Sequence, residues 1–220
     1  MDPSPEGRSA DLERIKRKYR HKARVYDGLV AAPTEALRRA AVERLLLRTG
    51  DRVLDLGSGT GLSVPLLRDA VGESGVVYGV ELSPDMLLRA RRRVERAGWR
   101  NVRLIEGDAE TFELPERVQG ILCFFTHDIL LSATALPRAI GRLSPGGAVV
   151  AAGARLVEGW RGWLINPLTV AYSLPAVTTR DVRRSYRPFA VLEPLLVDLR
   201  VDERLLGSHY LAWGRKESSA

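Results

Sequence analysis

From Asp51 to Ala154 short apolar runs alternate with longer stretches whose apolar residues recur every three or four positions. The runs RVLDL (52–56), VVYGVE (76–81), NVRLIEG (101–107), VQGILCFF (118–125) and GGAVVAAGA (146–154) predict five strands. Between them helices are predicted over 61–71, from Pro84 to Ala97 with Gly98 closing it, and over 132–142. Strand and helix repeating at this spacing predict an α/β fold, a parallel sheet covered on both faces.

Ahead of the sheet, residues 1–8 read as a loose leader, and 9–29 as a charged amphipathic helix with Ile15, Tyr19 and Tyr26 near one face. A second helix follows Pro33, turns Leu37, Ala41, Leu45 and Leu46 inward and stops before Gly50. After Ala154 the rhythm breaks. Residues 155–177 hold two tryptophans, two prolines and a tyrosine, and a short helix is predicted around 179–186. The runs 189–201 and 203–215, joined near Asp202–Glu203, predict an antiparallel pair at the sheet edge. The expected division is a leader and helical lid over 1–34 and a single domain over 35–220.

A chain of 220 residues with 45% hydrophobic and 28% charged positions has the composition of a globular domain with one substantial core. The N-terminus lacks an export-type apolar stretch, no apolar run reaches membrane-spanning length, and Cys123 stands alone. The expectation is a cytoplasmic protein without stable membrane insertion, a monomer or homodimer. A net charge of +7 invites a nucleic-acid partner, but acidic residues are interleaved throughout and arginine supplies most of the excess. The six arginines of RARRRVERAGWR (89–100) read as the solvated face of a helix. No metal-ligand spacing suggests a metal site.

VLDLGSGTG (53–61) narrows the ligand. A phosphate-binding Walker loop needs a lysine where Leu62 stands, and a dinucleotide loop needs its third glycine at 62. The glycines instead lie at 57, 59 and 61, behind Asp55, whose charge repels a pyrophosphate and attracts an amine or another cation.

These residues resemble the first motif of the class I S-adenosylmethionine-dependent methyltransferases. The resemblance extends over roughly 35–154 through VVYGVELSPDML, EGDAE and LSPGG (143–147), with order and spacing kept. It implies a Rossmann-like seven-stranded sheet, mostly parallel with an antiparallel C-terminal edge pair, and S-adenosyl-L-methionine as cofactor, leaving S-adenosyl-L-homocysteine as product. By the same resemblance Gly57, Gly59 and Gly61 let the backbone pass close to the cofactor, and Asp55 supports its methionine end. Glu81 accepts the ribose hydroxyls, Leu82 and Met86 line the adenine, and Asp108 with Ala109 meets its amine. Ser58, Gly107 and Phe124 complete the cofactor set. Each acidic residue also has a structural reading: Asp55 as a turn cap, Glu81 as a solvated strand end, Asp108 as a turn residue.

The acceptor side is read from the segments just beyond the fourth and fifth strands. His127 is the candidate base because its ordinary pKa lies near neutrality, and Asp128 either orients it or caps the next helix. A sulfonium methyl is already activated, so the protein's task is mainly positioning. The N-terminal helix resembles, more distantly, the lid of ubiquinone and menaquinone biosynthesis methyltransferases, which would place Tyr19 on the methionine carboxylate and Tyr26 beside the acceptor. Trp160, Trp163 and Tyr172 form the expected acceptor cover over 155–177, with an ordinary helical cap or a dimer surface as the plainer readings. The expected function is methyl transfer to an O, N or activated C atom of a small, aromatic or lipophilic molecule. RNA methylation and non-catalytic cofactor binding are the alternatives.

Overall fold

The computed structural model describes residues 31–173 and 186–218. The helix expected over 9–29, with Tyr19 and Tyr26, lies outside the described residues, as does nearly all of the helix expected around 179–186.

Among the described residues a seven-stranded sheet has the order β3-β2-β1-β4-β5-β7-β6. Its strands are β1 (Arg52–Leu56), β2 (Val76–Glu81), β3 (Val102–Glu106), β4 (Val118–Phe124), β5 (Leu143–Ala154), β6 (Val197–Arg204) and β7 (His209–Arg215). The first five are parallel, and β7 runs antiparallel between β5 and β6. The helices are α1 (31–44), α2 (Val64–Val71), α3 (Pro84–Ala97), α4 (His127–Leu130), α5 (Ala135–Gly141) and α6 (Gly159–Ser173). The boundary expected at 34/35 falls inside α1.

Two apolar layers sandwich the sheet. Leu37, Ala41 and Val42 of α1, Leu45 just past its end, and Leu67 and Val71 of α2 pack on Val53, Val77, Leu122 and Val150. On the other side Leu130 of α4, Leu136 and Ile140 of α5 and Phe189 cover Leu54, Tyr78, Ile121 and Val149. Strand period places alternate residues on opposite faces. Asp55, Glu81 and Phe124 therefore share the α1 side with Val53, Val77 and Leu122.

Several expected boundaries move, for local reasons. Helix α2 starts at Val64 rather than 61, because Gly61 holds φ +77° in the loop. Helix α5 starts at 135 rather than 132, and His127–Leu130, ahead of the expected helix, form the extra turn α4. LSPGG is inside β5, whose register with β4 shifts between Val118 and Gly120. Residues Pro188–Leu192 form a 3-10 turn in place of the expected strand, and the final hairpin turns at Leu205–Gly207, not at 202–203. Leu46 points outward with φ +52°, beyond the end of α1. Among the described residues no helix is long and apolar enough to cross a membrane.

The chain leaves β1 for β2 and β3 on one side, then returns to β4 and β5 on the other. Such a reversal opens a crevice at the carboxyl ends of β1 and β4, the ligand edge of a doubly wound sheet. Loop 57–61 and residues 125–128 meet there.

Candidate functional site

The three loop glycines have separate tasks. A Cβ on Gly57 would meet Thr126 Cγ2 at 2.5 Å and Ile129 Cδ1 at 2.9 Å, so this residue lets the loop after β1 close against the segment after β4. A Cβ on Gly61 would meet Ala90 Cβ at 3.1 Å, which fits the loop to α3. Nothing lies within 4 Å of the Cβ position of Gly59. All three hold positive φ, the region glycine enters without steric cost. Ser58 is buried beside Gly79, and its backbone N–H donates to Val80 O at 3.0 Å.

Glu81 ends β2 with its carboxylate turned back onto this loop. Gly59 N–H donates to Oε2 and Ser83 N–H to Oε1, each at 2.8 Å. Burial pushes the Glu81 carboxyl above its ordinary pKa, opposed by the N–H groups of Ser83, Gly59 and Leu82. A carboxylate accepts about four hydrogen bonds, so each oxygen keeps acceptor capacity beyond its backbone partner.

Asp55 is 2% exposed, and its Oδ2 has no hydrogen-bond partner. Burial pushes its pKa up to about 7; Arg38 opposes the shift and Glu81 adds to it. A buried acceptor left without a donor costs about 1–3 kcal/mol, a cost that a ligand bringing a donor removes. The amino group of S-adenosylmethionine is such a donor and its ribose diol matches Glu81, so the residues present fit that cofactor.

At β3, Gly107 N–H donates to Glu81 O at 3.0 Å. Asp108 Oδ1 accepts from Glu110 N at 2.9 Å, and Asp108 O accepts from Thr111 and Phe112, so this acid also shapes its own turn. Ala109 belongs to the core beneath it, Met86 is fully buried under the first turn of α3, and Leu82 is half-buried.

After β4 the chain tightens. Phe125 takes φ +57°, and its N–H donates to Ala152 O at 2.7 Å. His127 opens α4 and is 7% exposed. Burial lowers its pKa below the ordinary value and the neighbouring Asp128 charge opposes this, so the imidazole is neutral at pH 7. Cys123 is buried in β4 with its thiol pushed up to about 12, which leaves it no role as a thiolate nucleophile.

Two site residues escaped the sequence reading. Arg38 of α1 is buried, donates from Nη2 to Thr34 Oγ1 at 2.7 Å and lies 4.9 Å from the centroid of the Phe124 ring. Its signal was present: 34, 38 and 41 share the buried face of α1. His209 starts β7 opposite Ala154, with its ring 5.8 Å from that of Phe125. Ser208 spends its only hydroxyl proton on Leu205 O at 2.8 Å, so it accepts from His209 Nδ1 at 3.0 Å. The neutral ring therefore carries its proton on Nδ1. No sequence pattern marked this histidine.

The expected acceptor cover over 155–177 lies on α6 as far as residue 173, and 174–177 fall outside the described residues. Trp160 and Trp163 are 77% and 81% exposed and point outward from α6. Tyr172 falls on the last turn of that helix.

Comparison with known proteins agrees with this geometry. Residues 53–147 match a family model described as a methyltransferase domain. The chain is 35% identical over 99 residues to the aklanonic acid methyltransferase DauC of Streptomyces sp. (strain C5), covering 44% of this chain and 41% of that one. It is 37% identical over 105 residues to a protein-L-isoaspartate O-methyltransferase of Methanothrix thermoacetophila, covering 47% and 48%. It is 33% identical over 113 residues to the ubiquinone/menaquinone biosynthesis C-methyltransferase of Coxiella burnetii, covering 50% and 45%. The match thus spans less than half the length of each relative. The N-methyltransferase NodS of Bradyrhizobium japonicum shares the fold, with a TM-score of 0.59 at 18% identity over 84% of this chain and 98% of that one.

Proposed function

We propose, from a chain whose residues 53–147 form a methyltransferase domain of the S-adenosylmethionine-dependent class, that the whole protein methylates a small, aromatic or lipophilic acceptor. The observation that carries the reading is a pair of carboxylates on one face of the sheet, Asp55 buried and Glu81 half-buried. Asp55 keeps an acceptor oxygen without a donor, and Glu81 is fixed by the loop with capacity to spare.

When bound, S-adenosylmethionine supplies an electrophilic methyl group on a sulfonium sulfur. Glu81 orients the ribose through its two hydroxyls, Asp108 and Ala109 meet the adenine, and Asp55 takes the amino group at the methionine end. Arg38, beside Asp55, offers the guanidinium that a carboxylate on the same ligand needs. His127, neutral and at the carboxyl end of β4, accepts the proton that an acceptor hydroxyl or amine must lose.

The test is transfer of a labelled methyl group into a fractionated cell extract. The reading expects label in a fraction of small, organic-soluble molecules. Label confined to precipitated RNA or protein overturns the acceptor class, and no cofactor binding by calorimetry overturns the enzyme reading altogether.

A further inference from the structure

We infer that the outer edge of β6 is the contact of a homodimer, in which two copies pair their β6 strands antiparallel about a two-fold axis at Val201. Among the described residues β6 ends the sheet, with β7 on its inner side and no strand beyond it. An edge strand turns alternate backbone N–H and C=O groups away from its neighbour, where another extended strand takes them up. Its side chains are uncovered as well: Arg200, Glu203 and Arg204 are exposed, and Val201 is 36% exposed. The charges of β6 decide which strand fits this edge.

Alternate positions of the strand alternate in sign. Arg200, Asp202 and Arg204 stand opposite Trp213, Leu211 and His209 of β7, on the side of the sheet that α1 covers, and Asp198 precedes them. A two-fold axis normal to the sheet keeps each residue on its own face, so an antiparallel self-pair centres on one residue. Centred on Val201, it sets Arg200 of each copy opposite Asp202 of the other, with Arg204 opposite Asp198 at the margin. On the other face Val201 meets its own counterpart, and Leu199 lies against Glu203, whose charge Arg155 already holds. Within its own chain Asp202 has Arg204 at 3.0 Å and Arg44 at 3.7 Å, but among the described residues Asp198 and Arg200 have no ion-pair partner.

No neighbouring register does as well, because like charges directly opposite destabilise a strand pair and unlike charges stabilise it. A centre at Arg200 sets that residue against itself and Asp198 against Asp202. A centre at Asp202 sets that acid against itself and Arg200 against Arg204. A centre at Leu199 runs through the bulge, where the pairing with β7 shifts between Val197 and Arg200 and Asp198 takes φ +53°. A centre at Glu203 sets that acid against itself and reaches Leu205, which leaves the strand at φ +48°. The regular backbone between bulge and turn therefore holds one favourable register, and a second copy of this chain is the partner it fits. The axis closes the contact, so assembly stops at two copies.

The experiment is velocity sedimentation of the whole chain over a concentration series, without methyl donor or acceptor, so its outcome is independent of the enzyme reading. The wild type should dimerise reversibly. Arg200→Asp should raise the dimer dissociation constant at least about tenfold, the equivalent of about 1.4 kcal/mol. Adding Asp202→Arg to it should recover most of that loss, because the swap returns unlike charges to both pairs. Val201→Cys tests the register: on oxidation it should link two copies, since the residue faces itself within the roughly 4.4–6.8 Å between Cα atoms that a disulfide needs. Val197→Cys, about 25 Å from its counterpart along the strands, should not link. Native Cys123 is buried and does not compete. Where a charge variant melts well below the wild type, the cross-link decides alone. A wild type that stays monomeric throughout the series, a dimer indifferent to Arg200→Asp or not recovered by the swap, or equal linking at 197 and 201 overturns the inference.

Discussion

The backbone N–H of Gly59 donates to Oε2 of Glu81 at 2.8 Å, across 22 residues of sequence. One carboxylate thus closes the glycine loop and, in the proposed function, presents the acceptors for a diol. Glu81→Ala removes both functions. With hydrogen bonds to a charged group contributing about 1.5–3 kcal/mol each, calorimetry should find cofactor affinity lowered at least about 100-fold. Thermal melting should shift downward as well, because the N–H groups of Gly59 and Ser83 lose their acceptor. Unchanged affinity would remove Glu81 from the site.

Gly57 and Gly59 both hold positive φ, at +78° and +56°, but their surroundings differ. At Gly57 a methyl collides with Thr126 and Ile129; at Gly59 it meets nothing within 4 Å. Backbone strain of about 1–2 kcal/mol applies to both replacements by alanine. Overpacking adds about 1–3 kcal/mol at Gly57 alone. Denaturant unfolding should therefore rank Gly57→Ala below Gly59→Ala. Equal losses would mean that the loop and the segment after β4 do not meet as tightly as Gly57 and Thr126 indicate.

The range of each interaction decides whether the sequence reveals it. Strands β1 and β2 and helix α3 were legible to the residue, because apolar period, Pro84 and Gly98 are local signals. The carboxylates were legible as strand ends. The two N–H bonds on Glu81 were not, since they join segments that only the sheet brings together. Arg38 lies on the buried face of α1, but its interaction with Asp55 exists only once α1 covers the sheet. Composition marked Trp160 and Trp163 as aromatic, but not that both would stand exposed on α6.

Asp55 makes stability and binding respond to pH in opposite senses. Its carboxyl is pushed up to about 7 when folded, against 3.8 in its ordinary state. Between those values the native chain holds a proton that the unfolded chain releases, so stability falls as pH rises from about 4 to about 7. The slope from this group is about 1.4 kcal/mol per pH unit, and Asp55→Asn should lose it in paired denaturation curves. Binding runs the other way. An amine ligand favours the ionised carboxylate, so affinity should rise towards pH 7 with release of a proton. Calorimetry in two buffers of different ionisation enthalpy reads that proton, and its absence would show that the ligand's amine lies elsewhere.

Arg38 holds the Asp55 pKa down against burial. Arg38→Met keeps the bulk over the Phe124 ring and removes the charge. The pH dependence of binding should then move upward, by an amount that titration of affinity from pH 6 to 9 reads directly. A profile identical to wild type would disconnect α1 from the carboxylate.

His127 separates chemistry from binding. If it accepts the acceptor's proton, His127→Gln should cut kcat by about 100-fold or more while cofactor affinity, which the proposed function assigns to Glu81 and Asp55, stays near wild type. Burial lowers the His127 pKa, so the rising limb of the rate profile belongs below the ordinary value of 6.5. The same shift has a stability signature. The unfolded chain takes up a proton below 6.5 that the folded ring resists, so stability present above that pH is lost as pH falls, and the variant should lose less. A structural histidine gives the stability signature alone. Normal turnover by a folded His127→Gln protein, with the acid limb of its rate profile in place, would hand the proton transfer to another group and make His209, across the Phe125 ring, the next residue to replace.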